Sequence, residues 1–267
     1  MIHRIRIKPW HEPRLAERDP RDTLELGAKE EAHAALSGLV VKIEALQGRL
    51  YAEGSRSVLV VLQGLDASGK DGVVRAVFEG VNPQGCRAYS FKAPSSTELG
   101  HDYLWRIHAV CPERGQIGIF NRSHYEDVIA VRMQNLAPRE VWSRRPRHIN
   151  EFERMLSDEG TTVLKVFLHV SKQEQAERLR ERVANPEKQW KFRKDDLEVL
   201  ERYDEYMAAY EELIAATSSE WAPWHVVPAD RNWVKATAVA TLLAHTLETL
   251  DPQLPPAEPG IDRIAIE

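Results

Sequence analysis

Apolar residues in this chain come in two patterns. Short dense runs such as Val58-Leu-Val-Val-Leu62 alternate with longer stretches in which apolar positions recur at a helical period. The dense runs predict strands at about 57–63, 87–92, 116–120, 162–170 and 224–228. The periodic stretches predict helices. Leu24, Leu26, Ala32, Leu36, Leu39, Val40 and Ile43 place the first at about 20–50. Others follow at about 70–79, from the Ser95-Ser-Thr-Glu98 capping box behind Pro94, and at about 124–135, 138–158, 171–184, 195–217 and 231–250. The fourth run, Thr162 to Val170, is almost wholly apolar, as a strand buried on both faces must be. Strands alternating with helices imply an α/β fold, a parallel sheet covered by helices on both faces. Ligands of such sheets bind at the carboxyl ends of the strands. No internal repeat is present, and the segment from Pro252 to Gly260 is proline-rich.

The first strand runs into Gly64-Leu-Asp-Ala-Ser-Gly69-Lys70-Asp71-Gly72, a phosphate-binding P-loop. Glycines let backbone N–H groups curl around phosphate oxygens, the following helix adds its positive end, and Lys70 supplies a point charge. Gly64, Ala67, Ser68, Gly69, Lys70, Asp71 and Gly72 are the candidate phosphate-binding residues. Asp71 stands where many P-loop enzymes place a Mg²⁺-ligating Ser or Thr. Asp66 adds a carboxylate between the glycines. An anion there would repel phosphate unless it holds a cation or positions the incoming nucleophile; as a cap for the loop or helix it would do neither.

The third strand ends in Phe120-Asn121-Arg122-Ser123-His124-Tyr125-Glu126-Asp127, an apolar run giving way to polar groups as in a Walker-B region. The strand order of such folds brings Asn121 and Arg122 beside the P-loop. Glu126 and Asp127 follow within a turn, where acids also suit a helix start. A carboxylate here can hold Mg²⁺, and an arginine can offset charge on a transferred phosphoryl group. His124 and Tyr125 are read as packing residues. Beyond the fourth strand, Arg178, Arg180 and Arg182 lead into Asn185-Pro-Glu-Lys188-Gln-Trp-Lys-Phe192. Arg178 and Arg182 share a helix face. That segment is either a mobile cationic lid or a solvated charged helix. Arg132 and Arg139 to Arg147 form a further basic stretch, either a channel wall for a polyanion or plain surface.

Composition changes the picture in three ways. At 267 residues and 43% hydrophobic the chain can bury one large α/β core. A net charge of −5 argues against a nucleic-acid binder, and no apolar run is long enough to span a membrane. Cys86 and Cys111 lack metal-ligand spacing and read as inert thiols, so the expected location is the cytoplasm.

Together, the Gly64–Gly72 loop, the Phe120–Asp127 motif and the Asn185–Phe192 segment resemble the polyphosphate kinase 2 family, over roughly residues 20 to 250. The resemblance implies a P-loop kinase-like three-layer αβα sandwich with a five-stranded parallel sheet and a helical lid. It implies an N-terminal helical extension over 1–55, a kinase domain over 56–250 with its lid at about 178–200, and a proline-rich tail over 251–267. The implied reaction is reversible phosphoryl transfer from inorganic polyphosphate to AMP or ADP. By the same resemblance, Lys70 and the loop amides hold polyphosphate, while Asp66 and Asp127 hold Mg²⁺, with Mn²⁺ as a substitute. Arg122, Arg178 and Arg182 become transition-state and lid cations, with Glu126, Asn121, Arg132 and Lys188 completing the site. A glutamate at the position of Glu126 is most similar to the group that uses both acceptors. Adenine nucleotides are the expected acceptors, guanine nucleotides the alternative, and dimers or tetramers the expected assembly.

An ATP-dependent nucleoside or nucleotide kinase is the competing reading, since it shares the P-loop. A P-loop switch lacks support, because no Asn-Lys-x-Asp tetrad is present. The sequence reading predicts that Asp127→Asn lowers kcat by orders of magnitude in a folded protein. Wild-type turnover in steady-state assays of that variant removes Asp127 from the metal role.

Overall fold

The computed structural model describes residues 1–261 and 264. Five strands form one all-parallel sheet in the order β2-β3-β1-β4-β5: β1 (Ser57–Gln63), β2 (Cys86–Tyr89), β3 (Ile117–Asn121), β4 (Thr161–His169) and β5 (Trp224–Pro228). β1 is central and buried at every position, whereas β2, at the edge, carries Arg87 and is partly exposed. The chain leaves β1 towards β2 and leaves β3 towards β4, so their connections diverge. That reversal makes the carboxyl ends of β1 and β3 a topological switch point, where sheets of this kind open a crevice for ligands.

Among the described residues, eight longer helices flank the sheet: α1 (Lys29–Glu53), α2 (Lys70–Val77), α3 (Glu126–Met133), α4 (Arg145–Asp158), α5 (Lys172–Ala184), α6 (Asp195–Glu201), α7 (Tyr203–Thr217) and α8 (Asn232–Leu250). α8 packs on α1 and α2 on one face; α7 packs on α3 and α4 on the other. The three-layer sandwich is therefore as expected. Helix α1 is built into the sandwich through its contact with α8. No helix among the described residues is long and apolar enough to cross a membrane. Of the proline-rich segment, residues 262, 263 and 265–267 lie outside the described residues.

β1 and β5 match their predicted spans, and β3 and β4 shift by one residue. β2 is shorter than expected, because Phe91 leaves the strand to pack edge-on against Phe120 at 5.0 Å. The first helix begins at Lys29 rather than near 20, since Leu24, Glu25 and Gly27 take positive φ angles and form turns. The stretch 138–158 divides into Arg139–Trp142 and α4, because Pro146 lacks an N–H and is accommodated only in a first helical turn. The stretch 195–217 divides at Arg202, where the backbone leaves the helical region. Arg202 there donates to the Met133 carbonyl at 3.0 Å. Short helices at Ile2–Ile5 and Trp105–His108 are additional. The thiols of Cys86 and Cys111 are half-buried, and burial pushes them up to about 11 and about 12, so both are unreactive near neutral pH.

One polar residue interrupts the apolar β4. Lys165 is fully buried and donates to Glu153 at 2.6 Å, the Thr217 carbonyl at 2.6 Å and the Tyr125 hydroxyl at 3.0 Å. Tyr125 donates to Glu153 at 2.8 Å, and the His124 ring meets the same carboxylate at 3.1 Å. Burial would raise the Glu153 carboxyl, but Lys165 and His124 bring it below its ordinary range. His124 and Tyr125 thus serve packing, and they fix the segment that follows β3 to β4, α4 and α7. Removing one partner of such a pair leaves an uncompensated buried charge. Lys165→Met is expected to cost about 3–5 kcal/mol, a large part of the usual stability of a domain. Urea denaturation measures it; an unchanged midpoint would show that the network carries no such energy.

Candidate functional site

β1 delivers the chain to the P-loop against the end of β4. A Cβ at Gly64 would lie 2.8 Å from the Leu168 carbonyl oxygen, which explains the glycine there. Ala67 and Gly69 take φ angles of 63° and 98°, the left-handed turns that curl the loop. Lys70, at the start of α2, is buried and reaches across to donate to the Gly64 and Leu65 carbonyls at 2.6 and 3.2 Å. Burial pulls its pKa down, against the pull of Asp66.

β3 places its polar end alongside. Arg122 holds a φ of 67°, unfavourable for a non-glycine residue by about 1–2 kcal/mol. Its N–H bonds the Leu62 carbonyl at 3.3 Å, and its guanidinium is paired with Asp66. Asn121 donates to Asp71 at 2.8 Å. The other Asp71 oxygen accepts from Lys191 at 2.9 Å. The carboxylate in the usual hydroxyl position therefore joins the Walker-B strand to the segment after α5.

Glu126 and Asp127 are neighbours in sequence but sit in different surroundings. Asp127 is buried and paired with Arg106 at 3.2 Å, and its carbonyl accepts from Arg145. Glu126 faces Arg122, Lys70 and Asp66. Burial pushes its carboxyl up, against the pull of Arg122 and Lys70. It makes no ion pair among the described residues; with the Gln63 amide turned to satisfy both its ends, Gln63 donates to Glu126 at 3.1 Å. Glu126 is a desolvated carboxylate with no ion-pair partner, and Asp66 near it is held by Arg122, a donor pair that fits a divalent ion once Arg122 is released. Asp66 and Glu126 are thus better placed to share one than Asp66 and Asp127. No cluster of three His, Cys, Asp or Glu occurs among the described residues.

The remaining expected cations divide. Arg178 is not free: Nη1 donates to the Ala67 and Ser68 carbonyls at 3.0 Å each, and Nη2 to those of Ala229 and Asp230 at 2.7 Å each. Its Nε holds Glu174 at 2.8 Å. It braces the loop from behind rather than facing across it. Arg182 pairs with Asp196 of α6 at 3.5 Å. Arg132 is not brought to the loop: it is held by Glu212 and lies over the Trp142 ring at 5.1 Å. Lys188 is exposed, and Lys191 instead reaches α2.

Sequence reasoning did not assign Arg106, Asp196, Lys191 or Lys235 to the site. Lys235 is 2% exposed and donates to the Ser68 carbonyl at 2.9 Å. A lone lysine in an apolar helix was a visible signal, but its destination was not. Chemically, the arrangement offers loop amides, Lys70 and Arg122 for phosphates and two acids for a metal. The His124 ring lies in the core on Glu153.

Comparison with known proteins agrees with this geometry. The family model for polyphosphate kinase 2 matches residues 27–255. The chain is 53% identical over 267 residues, the whole length of both, to the AMP/ADP-polyphosphate phosphotransferase of Meiothermus ruber. It is 44% identical over 246 residues, 87% of this chain and 85% of the relative, to the ADP-polyphosphate phosphotransferase of Rhodopseudomonas palustris. The crystal structure of polyphosphate kinase 2 from Arthrobacter aurescens TC1 superposes with a TM-score of 0.92 at 39% identity, covering 97% of this chain and 93% of that one.

Proposed function

We infer the activity of this chain from one premise: it belongs to the polyphosphate kinase 2 family. It transfers a phosphoryl group from inorganic polyphosphate to AMP and to ADP, making ADP and ATP, and it does so reversibly. Support for both acceptors comes from the full-length likeness to a relative named for both. The observation that carries the chemistry is the meeting of Lys70, Arg122, Asp66 and Glu126 at the P-loop.

The attacking oxygen belongs to a nucleotide phosphate and is ionised at neutral pH, so no strong base is required. Catalysis is then positioning and charge neutralisation. The loop amides and Lys70 hold the polyphosphate end. Arg122, released from Asp66, neutralises charge on the phosphoryl group in transit. Asp127, held by Arg106, anchors the start of α3 and so sets the direction of Glu126. Mg²⁺, with Asp66 and Glu126 as its protein ligands, would supply the charge that lets two polyanions approach. Residues 185–194 and α6 close over the crevice through Lys191, while Arg182 ties α5 to α6 within that segment.

Incubating the protein with Mg²⁺, long-chain polyphosphate and AMP, without ATP, tests the reading by ion-exchange separation of nucleotides. ADP followed by ATP is expected; no product from either AMP or ADP would remove polyphosphate as donor. Mg²⁺ titrations separate the acids. Glu126→Gln is expected to raise the Mg²⁺ concentration for half-maximal rate by more than Asp127→Asn does, and the reverse order would return the ligand role to Asp127.

A further inference from the structure

A P-loop that aims its N–H groups at phosphate turns carbonyl groups to the opposite side, where they need donors. Here the donors are two cations from different elements. Arg178 of α5 takes the carbonyls of Ala67 and Ser68, and Lys235 of α8 takes Ser68 at 2.9 Å and Ala229 at 3.3 Å. The peptide gripped at the Ser68 oxygen carries the Gly69 N–H at its other end, since a trans peptide sets the two in opposite directions. Gly69 is demanded by its backbone, and it leaves room for the lysine. A Cβ there would lie 2.2 Å from Lys235 Nζ, and its φ of 98° already disfavours a side chain.

Lys235 has no ion-pair partner among the described residues. Glu174 is taken by Arg178 and Asp230 by Ser171 and Arg21. The charged groups facing it are Arg178 and Glu174 on α5, Asp230 after β5, and Lys70 on α2. A buried ammonium with only backbone carbonyls for partners costs stability, so its retention calls for another explanation.

We propose that Lys235 is a positioning residue for the polyphosphate donor: its ammonium orients and polarises the Ser68–Gly69 peptide from behind, so that donor binding is coupled to keeping that charge. The inference rests on polyphosphate as the ligand of this loop. Burial, then the neighbouring charge of Arg178, brings the lysine down to about 7. Below that pH the ammonium is present before binding. Above it a proton must be taken up with the polyanion, so affinity falls as pH rises.

The test is isothermal titration of the intact protein with long-chain polyphosphate in EDTA, without nucleotide, from pH 6.5 to 8.5, in buffers of two ionisation enthalpies. Above pH 7 the wild-type Kd is expected to weaken by up to about tenfold per pH unit, the limit for one linked proton, with proton uptake on binding. Lys235→Arg keeps its charge and should bind without that pH dependence. Lys235→Met should bind weakly already at pH 6.5 while retaining wild-type circular dichroism. A wild-type Kd that is flat with pH, or a Lys235→Met protein with wild-type Kd and pH profile, overturns the inference. A flat wild-type titration overturns the inference even if a variant fails to fold, and the Lys235→Arg profile separates proton uptake at Lys235 from uptake at Lys70. Absence of any polyphosphate binding by wild type would instead overturn the donor assignment, and this inference with it.

Discussion

The Ala67 and Ser68 carbonyls face inward and are gripped by Arg178 and Lys235, and the order of the site follows from that grip. Arg178 bonds equally to Ala229 and Asp230 at the end of β5, so the loop is tied to the far side of the sheet. Six bonds from two cations to backbone oxygens replace the contacts that a bare turn would lack. Charge-assisted bonds of this kind are stronger than neutral ones. The loop therefore meets a ligand already shaped, and little ordering remains to be done on binding.

On the other side of the crevice the same principle operates through the core. Lys165, Glu153, Tyr125 and His124 fix the segment between β3 and α3 from below. Arg122 can then hold an unfavourable φ at the mouth of the site, because the residues on both sides of it are anchored. The adjacent acids Glu126 and Asp127 differ for a simple geometric reason. Consecutive side chains at the start of a helix diverge by about 100°, so one enters the crevice and the other turns to Arg106.

Much of this was legible in the sequence. Apolar runs located β1 and β5 within their observed bounds, and the glycine spacing located the loop, because both signals are local. Arg178 was singled out, though as a lid cation and not as a brace for the loop, whereas the two buried lysines were not legible. Lys165 and Lys235 lie within apolar runs, where a pattern of hydropathy treats them as interruptions. Their meaning depends on partners elsewhere in the chain, 12 residues away for Glu153 and 167 for Ser68. The Asp127–Arg106 pair was hidden for the same reason: Arg106 lies in a four-residue helix with no periodicity to announce it. The breaks near Pro146 and Arg202 show the limit of periodicity, which continues across a kink that the backbone does not.

The bridge from Asp71 to Lys191 has a different character from these buried ties. Its carboxylate is 64% exposed, and such pairs contribute at most about 1 kcal/mol in water. An energy of that size leaves a detached arrangement populated at roughly a fifth or more of the attached one. The segment over the crevice is thus tethered by a contact that thermal motion breaks continually and that dissolved salt weakens further. A long anionic chain threading past α2 would compete with Asp71 for the same ammonium, exchanging one partner for another without a separate opening step.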